Sequence, residues 1–448
     1  MKTQPVLNSI TTVIMKKLKL ILPLLAGLLV VYLIIKKPKK ISSEYQPAFA
    51  SLNAELKTHH PGASAGIIDL DALDYNLDFV TKQLGNNFKL RLTTKSLPSI
   101  ELLKYLMERA HTNRLMVFSE PFIAELLSRF NGDSLDMLLG KPLPVEALGR
   151  LKAYKGWSNI SWLVDTKERL NDYMLFAKRE DVKLKLAVEI DVGLHRGGFQ
   201  TINEFTEAIK TIQQDTQHIQ LTGLMGYDGH VPYVPFYINK EKAIEHAFVN
   251  VQNNYSGFVA ELKKHYDAKF ISSLTFDGGG SKTYFYYPRF KDITPVNDIA
   301  MGSGFLAPEE FPELLELGHK PALYLAGPVL KKIETAKLPH AEMLTGLVDL
   351  WNPNLKVSYY MLGGGWAGEP VAPTGLRKNP FWDSDDKNFM NQLPNQALLC
   401  SSDQNNLQVD DFVFYQPWEG DGMLEFKKLV LIRQSKIVGE WETYRGGN

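Results

Sequence analysis

A single cysteine, Cys400, is all the thiol chemistry in 448 residues, which excludes an intrachain disulfide and any zinc site built from cysteines. Net charge is missing too. The 50 basic and 50 acidic residues cancel, so no global field is available to hold nucleic acid, and no basic stripe interleaved with aromatics supplies a local one. Nucleotide fingerprints are absent as well: no G-x-G-x-x-G follows the first strand-like run, and Gly278-Gly-Gly-Ser-Lys-Thr283 lacks the glycine that a Walker A loop places before its lysine.

What is present is the profile of a folded enzyme, with 44% apolar and 22% charged residues, in a chain long enough for two domains. Leu20 to Ile35 is an uncharged run bracketed by Lys16, Lys17 and Lys19 before it and Lys36, Lys37, Lys39 and Lys40 after it. As a helix it covers roughly 24 Å, enough for the ~30 Å hydrocarbon core when flanking lysines snorkel. The reading is a membrane anchor over residues 1–40, with the lipid bilayer as partner. A signal peptide over residues 15–35 with translation from Met15 is the competing reading and makes the protein an exported one. Lysines on both sides leave the side of the membrane open. Residues 41–62 are polar and read as a tether.

From Ala63 onward, strand-like runs alternate with helical ones. The runs are Ala65–Leu70, Phe88–Thr94, Arg114–Phe118, Ser134–Leu139, Ile160–Val164, Leu184–Val192, Ile219–Tyr227, Leu274–Gly278 and Ile299–Ser303. Amphipathic segments such as Pro121–Phe130, Lys167–Ala177 and Ile244–Tyr266 lie between them. About eight βα repeats imply a closed (β/α)8 barrel over residues 63–311, with a doubly wound open sheet as the alternative. After Pro312 short β-rich runs without good helices between them predict a β domain over residues 312–448, into which 367–396 is inserted as a long loop.

Chemistry in such a barrel sits where strands end. Lys95 follows the alternating run Lys89-Leu-Arg-Leu-Thr, in which Leu90 and Leu92 read as the buried face, and precedes a helix-like run after Pro98. An amine at that rim can form a Schiff base with a carbonyl cofactor. Glu189-Ile-Asp-Val-Gly-Leu-His-Arg-Gly-Gly198 ends another strand and presents Arg196, with Gly197 and Gly198 leaving space beside it. Gly223-Leu-Met-Gly-Tyr-Asp-Gly-His230 puts Tyr227, Asp228 and His230 at a strand mouth; His195 and His230 read as loop histidines rather than metal ligands. Asp277-Gly-Gly-Gly-Ser281 and Met301-Gly-Ser303 are glycine turns on successive strands, where bare backbone N–H groups and hydroxyls suit a phosphate.

Taken in this order and spacing, these motifs resemble the D-threonine aldolase and D-serine dehydratase-like branch of the alanine-racemase-fold (fold type III) pyridoxal-phosphate enzymes. The resemblance implies an alanine-racemase-type barrel followed by a β domain, pyridoxal 5'-phosphate as cofactor, a small amino acid as substrate and a homodimer. It implies Lys95 as the Schiff-base lysine and catalytic base, Arg196 at the phenolic oxygen of the cofactor and Tyr227 beside its ring. Gly279, Gly280, Ser281, Gly302 and Ser303 would hold the phosphate. That family often has Arg-Pro-His before its lysine, whereas Arg91 here is followed by Leu92 and Thr93. The family's C-terminal metal motif aligns with Gln416-Pro-Trp-Glu-Gly-Asp421, which makes Glu419 and Asp421 candidate ligands for Mg²⁺, Mn²⁺ or Ca²⁺; a solvated acidic turn is the alternative. The implied activity is cleavage or elimination at Cα/Cβ of D-3-hydroxy amino acids. An amino-acid racemase on the same fold, with Tyr227 or His230 as the catalytic acid on the opposite face of Cα, and a non-catalytic pyridoxal-phosphate-binding protein at the membrane are the alternatives.

Overall fold

A computed structural model describes Tyr32 and residues 35–130, 134–236, 238–337, 340–380 and 395–444. The anchor reading of Leu20–Ile35 thus falls outside the described residues, apart from Tyr32 and Ile35. Among the described residues no helix is long and apolar enough to cross a membrane. The chain divides into two compact units, one comprising Ala54–Ala326, Trp366–Glu369 and the stretch from Phe414 on, the other the stretch up to Asn53, Gly327–Gly365 and Pro370–Val413.

In the larger unit the first strand is β1 (Ala65–Asp69). Eight more follow: β2 (Lys89–Thr93), β3 (Arg114–Val117), β4 (Asp136–Leu139), β5 (Ile160–Val164), β6 (Leu184–Glu189), β7 (Ile219–Gly226), β8 (Thr275–Gly278) and β9 (Asp298–Met301). Strands β2 to β9 close into a barrel. Every neighbouring pair is parallel, and closure is made by β2 on β9 in the register Lys89↔Asp298, Leu90↔Ile299, Arg91↔Ala300, Leu92↔Met301. Crossover helices such as Ile100–Ala110, Glu120–Arg129, Lys167–Glu180 and Lys240–Leu262 cover it, burying Leu102, Leu106, Tyr173, Phe248 and Tyr255. Ser99, Thr166 and Asn239 cap three of these helices by accepting a backbone N–H two or three residues into the first turn. One glycine is forced by packing: a Cβ on Gly223 would stand 1.8 Å from the Thr275 carbonyl oxygen of the next strand.

Three expectations are corrected. Ala65–Leu70 counted as the first run of the barrel series, but β1 stays outside the closed barrel. It pairs antiparallel with β10 (Leu323–Ile333) through Ala65↔Ala326 and parallel with β16 (Lys428–Arg433) through Gly66↔Leu429, partners far along the chain that no local pattern announces. The tether reading of 41–62 gives way to a helix over Pro47–His59, because Leu52 and Leu56, one turn apart, are buried. Finally, Arg91 is buried inside the barrel at 1% exposure rather than on a wet strand face, since barrel strands are covered on both sides.

The smaller unit holds the second half of β10, then β11 (Val357–Leu362), most of β12 (Gly368–Ala372), β13 (Arg377–Lys378) and β14 (Gln396–Ser401). Strand β11 pairs antiparallel with β10 through Lys331↔Tyr360 and with β14 over Val357↔Ser401 to Leu362↔Gln396. The described part of the 367–396 insertion therefore contributes strands, not only loop. A short helix, Thr345–Trp351, interrupts a region expected to lack helices. The last strands are β15 (Phe412–Pro417) and, after β16, β17 (Lys436–Glu442), which pairs antiparallel with β16.

Candidate active site

Each barrel strand that carries a candidate residue delivers it at the same rim. Strand β2 stops at Thr93 and turns through Thr94–Ser96, which sets Lys95 on the cleft side, 5.5 Å from the Phe118 ring centroid. Gly302, just past β9, makes this approach possible: a Cβ there would lie 2.9 Å from the Thr93 carbonyl oxygen and 3.0 Å from Ser96 Cβ. Past β6, Arg196 lies with its guanidinium 5.0 Å from the centroid of the Tyr227 ring, which follows β7. Past β8, Gly279 adopts a left-handed backbone (φ 76°), and a Cβ on Gly280 would come within 3.2 Å of the Tyr227 ring. Ser281 Oγ accepts the Gly304 N–H at 2.9 Å and so ties the two glycine turns together.

All eight residues expected at the cofactor, Lys95, Arg196, Tyr227, Gly279, Gly280, Ser281, Gly302 and Ser303, line one cleft with an empty volume of about 930 Å³, its open mouth included. That size suits a ring-plus-phosphate ligand. The chemistry fits as well: three cations (Lys95, Arg196, Lys282) and three serines (Ser96, Ser281, Ser303) surround glycine turns that a side chain would fill.

Three residues on the cleft escaped the sequence reading or were assigned elsewhere. Lys282 Nζ donates to Tyr233 Oη (2.7 Å) and to the Glu310 carbonyl (2.5 Å) and stacks 4.5 Å over Phe311; its place in the Gly-Gly-Gly-Ser-Lys run was the available signal. Asp277 lies on the cleft floor at 1% exposure, its Oδ2 without a hydrogen bond and 3.9 Å from Arg91 Nε. Burial and the neighbouring Asp298 charge hold its carboxyl well above the usual range. An acid inside an otherwise apolar strand was the clue. The third, Glu419, reaches the cleft but not as expected. Its Oε2 accepts a hydrogen bond from Ser303 Oγ at 2.8 Å, while Asp421 is exposed on the turn Gly420–Glu425. Among the described residues no three His, Cys, Asp or Glu side chains converge as a metal set, so the residues present do not fit the divalent ion proposed for Glu419 and Asp421. Hydrogen-bonded to Ser303, the Glu419 carboxylate is turned toward the glycine turn instead.

Asp228 positions the site from behind. Fully buried, it accepts Thr283 Oγ1 and Tyr287 Oη, both at 2.9 Å, and thereby fixes the loop after β8 against the end of β7; burial pushes its carboxyl up to about 6. His195 Nδ1 pairs with Asp191 Oδ2 at 2.7 Å, a contact that braces the loop carrying Arg196. Burial pushes the Tyr227 phenol up, helped by Asp228 and opposed by Arg196.

Glu189, at the end of β6, is pushed from 4.5 to about 7, by burial first and then by Asp165, against the pull of Arg196. Its folded state therefore holds the proton more tightly than the unfolded chain. The associated stability is present in full below pH 4.5 and is lost as pH rises through about 7. We expect urea denaturation to show the wild type losing up to about 3 kcal/mol across this window relative to Glu189→Gln. Parallel pH profiles for the two proteins would rule this out.

A lysine-bearing cleft at the C-terminal rim of a parallel barrel, with adjacent glycine turns, places the chain among the (β/α)8 proteins that build their sites from strand-end loops. More closely, residues 68–290 match the family model described as alanine racemase, N-terminal domain. No curated protein matches at the sequence level. Solved structures do. D-threonine aldolase from Filomicrobium marinum is 13% identical with a TM-score of 0.64, covering 85% of this chain and 94% of its own. D-threo-3-hydroxyaspartate dehydratase from Delftia sp. HT23 is 12% identical with a TM-score of 0.61, over 86% and 98%. Alanine racemase from Bacillus anthracis, with bound L-Ala-P, is 14% identical with a TM-score of 0.59, over 85% and 97%. At these identities the likeness establishes the alanine racemase fold, barrel and β domain together.

Proposed function

We propose that the chain is a pyridoxal-phosphate-dependent lyase that cleaves or eliminates at Cα/Cβ of small D-3-hydroxy amino acids. One observation carries the reading: the amine, the arginine, the tyrosine and both glycine turns expected from the sequence line a single cleft. The aldolase and dehydratase among its structural relatives support the reaction class. When bound, the cofactor supplies an electron sink for a bond broken at Cα.

The rest is done by this chain's side chains. Lys95 is the amine that would hold the cofactor, and its free amino group would move a proton at Cα. Arg196 would meet the phenolic oxygen, and its stacking on Tyr227 keeps both groups from rotating out of the cleft. Gly279, Gly280, Ser281, Gly302 and Ser303 would receive the phosphate, with Lys282 beside them offsetting its charge. Asp277 is the acidic group at the floor suited to a ring nitrogen.

Glu419 opposes the phosphate. Burial raises its carboxyl above the usual range, the Asp421 and Glu310 charges add to this, and the Ser303 hydrogen bond and Lys95 lower it. Ionised, it repels an anion at Ser303, so cofactor affinity should fall as pH rises through its titration. Glu419→Gln keeps an acceptor for Ser303 and removes the charge. Equilibrium dialysis at neutral pH should show binding about tenfold tighter and a flatter pH profile, one factor of ten being worth about 1.4 kcal/mol. Unchanged affinity and slope would remove Glu419 from the phosphate site.

The activity itself is tested on the full purified chain with cofactor and a panel of D- and L-amino acids. Release of aldehyde or ammonia from D-3-hydroxy substrates supports the lyase. Loss of optical rotation without bond cleavage makes it a racemase, and tight cofactor binding without turnover makes it a binding protein. Homodimer formation and membrane attachment through Leu20–Ile35 belong to the same proposal and are read by light scattering and by membrane fractionation.

A further inference from the structure

Outside the cleft, the smaller unit carries an apolar stripe that its own fold does not use. Across the turn Glu342–Leu344 and the helix Thr345–Trp351, Met343, Leu347 and Leu350 follow the i, i+4, i+7 spacing of one helical face and are 90%, 64% and 68% exposed. Leu344 and Trp351 flank them at 45% and 41% exposure, while Thr345 on the opposite side is buried.

A second observation says which segment lies beside the end of this helix. Asn354, in the turn Pro353–Leu355 directly after the helix, accepts the Ile41 N–H at 2.8 Å and donates to the Lys39 carbonyl at 2.7 Å. The segment Lys39–Ile41 is thereby pinned to the C-terminal end of the striped helix. Immediately upstream in sequence stand Lys36 and Lys37, exposed like Lys39, and before them the uncharged run Leu20–Ile35.

We propose that this face rests on the surface of a lipid bilayer, with Met343, Leu347, Leu350 and Trp351 entering the headgroup boundary and the lysines of 36–39 meeting anionic headgroups. Apolar side chains on one face of a helix, an interfacial tryptophan and adjacent lysines are the chemistry that such a boundary selects. A protein partner fits less well, because a stable interface buries about 800 Å² per side, more than two helical turns can offer. Each side chain entering a lipid interface contributes separately, so a small stripe is enough when a neighbouring segment already holds the chain at the membrane and raises the effective concentration. The inference rests on the membrane attachment proposed above and is independent of the reaction.

The test uses the full chain reconstituted in mixed phosphatidylcholine and phosphatidylglycerol vesicles whose acyl chains are brominated or plain. The Trp351 signal is the difference between wild type and Trp351→Phe. It should fall about twofold in brominated vesicles, as expected for a ring at the acyl boundary. It should be insensitive to bromine in Leu347→Asp/Leu350→Asp, a pair of exposed substitutions that leave far-UV circular dichroism unchanged. Equal emission in both kinds of vesicle, or a full chain that stays out of the vesicles altogether, overturns the proposal. Shielding of Trp351 from iodide in lipid-free protein that fades on dilution overturns it in favour of a second copy of the chain.

Discussion

Lys95→Ala should lower turnover by at least about 10³-fold, because one substitution removes both the amine proposed to hold the cofactor and the base proposed to move the Cα proton. The fold should not notice the change. Lys95 is exposed, and its nearest described partner is the Phe118 ring at 5.5 Å, so melting temperature is expected to stay within the error of the wild type. The visible absorbance band expected when wild type is mixed with pyridoxal phosphate should be missing. Loss of activity with the band retained would make Lys95 a proton carrier only. Retention of both would remove the reaction from this cleft.

Asp298→Ala is expected to be the most destabilising single change in the barrel, by roughly 3–5 kcal/mol. Asp298 Oδ2 accepts Arg91 Nε at 2.9 Å, Arg91 Nη2 at 2.6 Å and Arg114 Nη1 at 2.9 Å, and the side chain is fully buried. Its removal leaves the Arg91 guanidinium, itself 1% exposed, with Asp136 (3.1 Å) and the more distant Asp277 (3.9 Å) as its remaining carboxylates, beside the neutral Leu115 and Asp136 carbonyls. A buried cation that has lost its main partner keeps the desolvation cost without the compensating attraction. Urea denaturation should therefore separate Asp298→Ala from Arg91→Met/Asp298→Leu. The double change removes both charges and should cost less than the single one. Equal losses would mean that packing, not charge, dominates at the barrel closure.

These two residues mark the two kinds of information in the chain. The position of Lys95 at the rim was legible because its context is local: an alternating run stops, a turn follows, and a helix capped by Ser99 begins. The strand Ile160–Val164 was legible to the residue for the same reason, being a short apolar run between breakers. Arg91 was not. Read along the strand it alternates with Leu90 and Leu92 as a solvent-facing residue should, and its partner Asp298 is 207 positions away. Glu419 misled in a related way. Its spacing from Asp421 suggested a metal pair, whereas its carboxylate bonds to Ser303, 116 positions earlier.

By itself the sequence determined the parallel barrel, the order of the strand-end motifs and the residue types able to hold a phosphorylated aldehyde, because periodicity and glycine turns act over a few residues. Only the tertiary structure decided that β1 leaves the barrel for β10 and β16, that Arg91 is enclosed by three aspartates, and that Glu419 stands at the Ser303 turn. Each of those outcomes depends on which distant segments share a burial environment. Solvent exclusion and charge pairing across such distances exist only once the chain has closed.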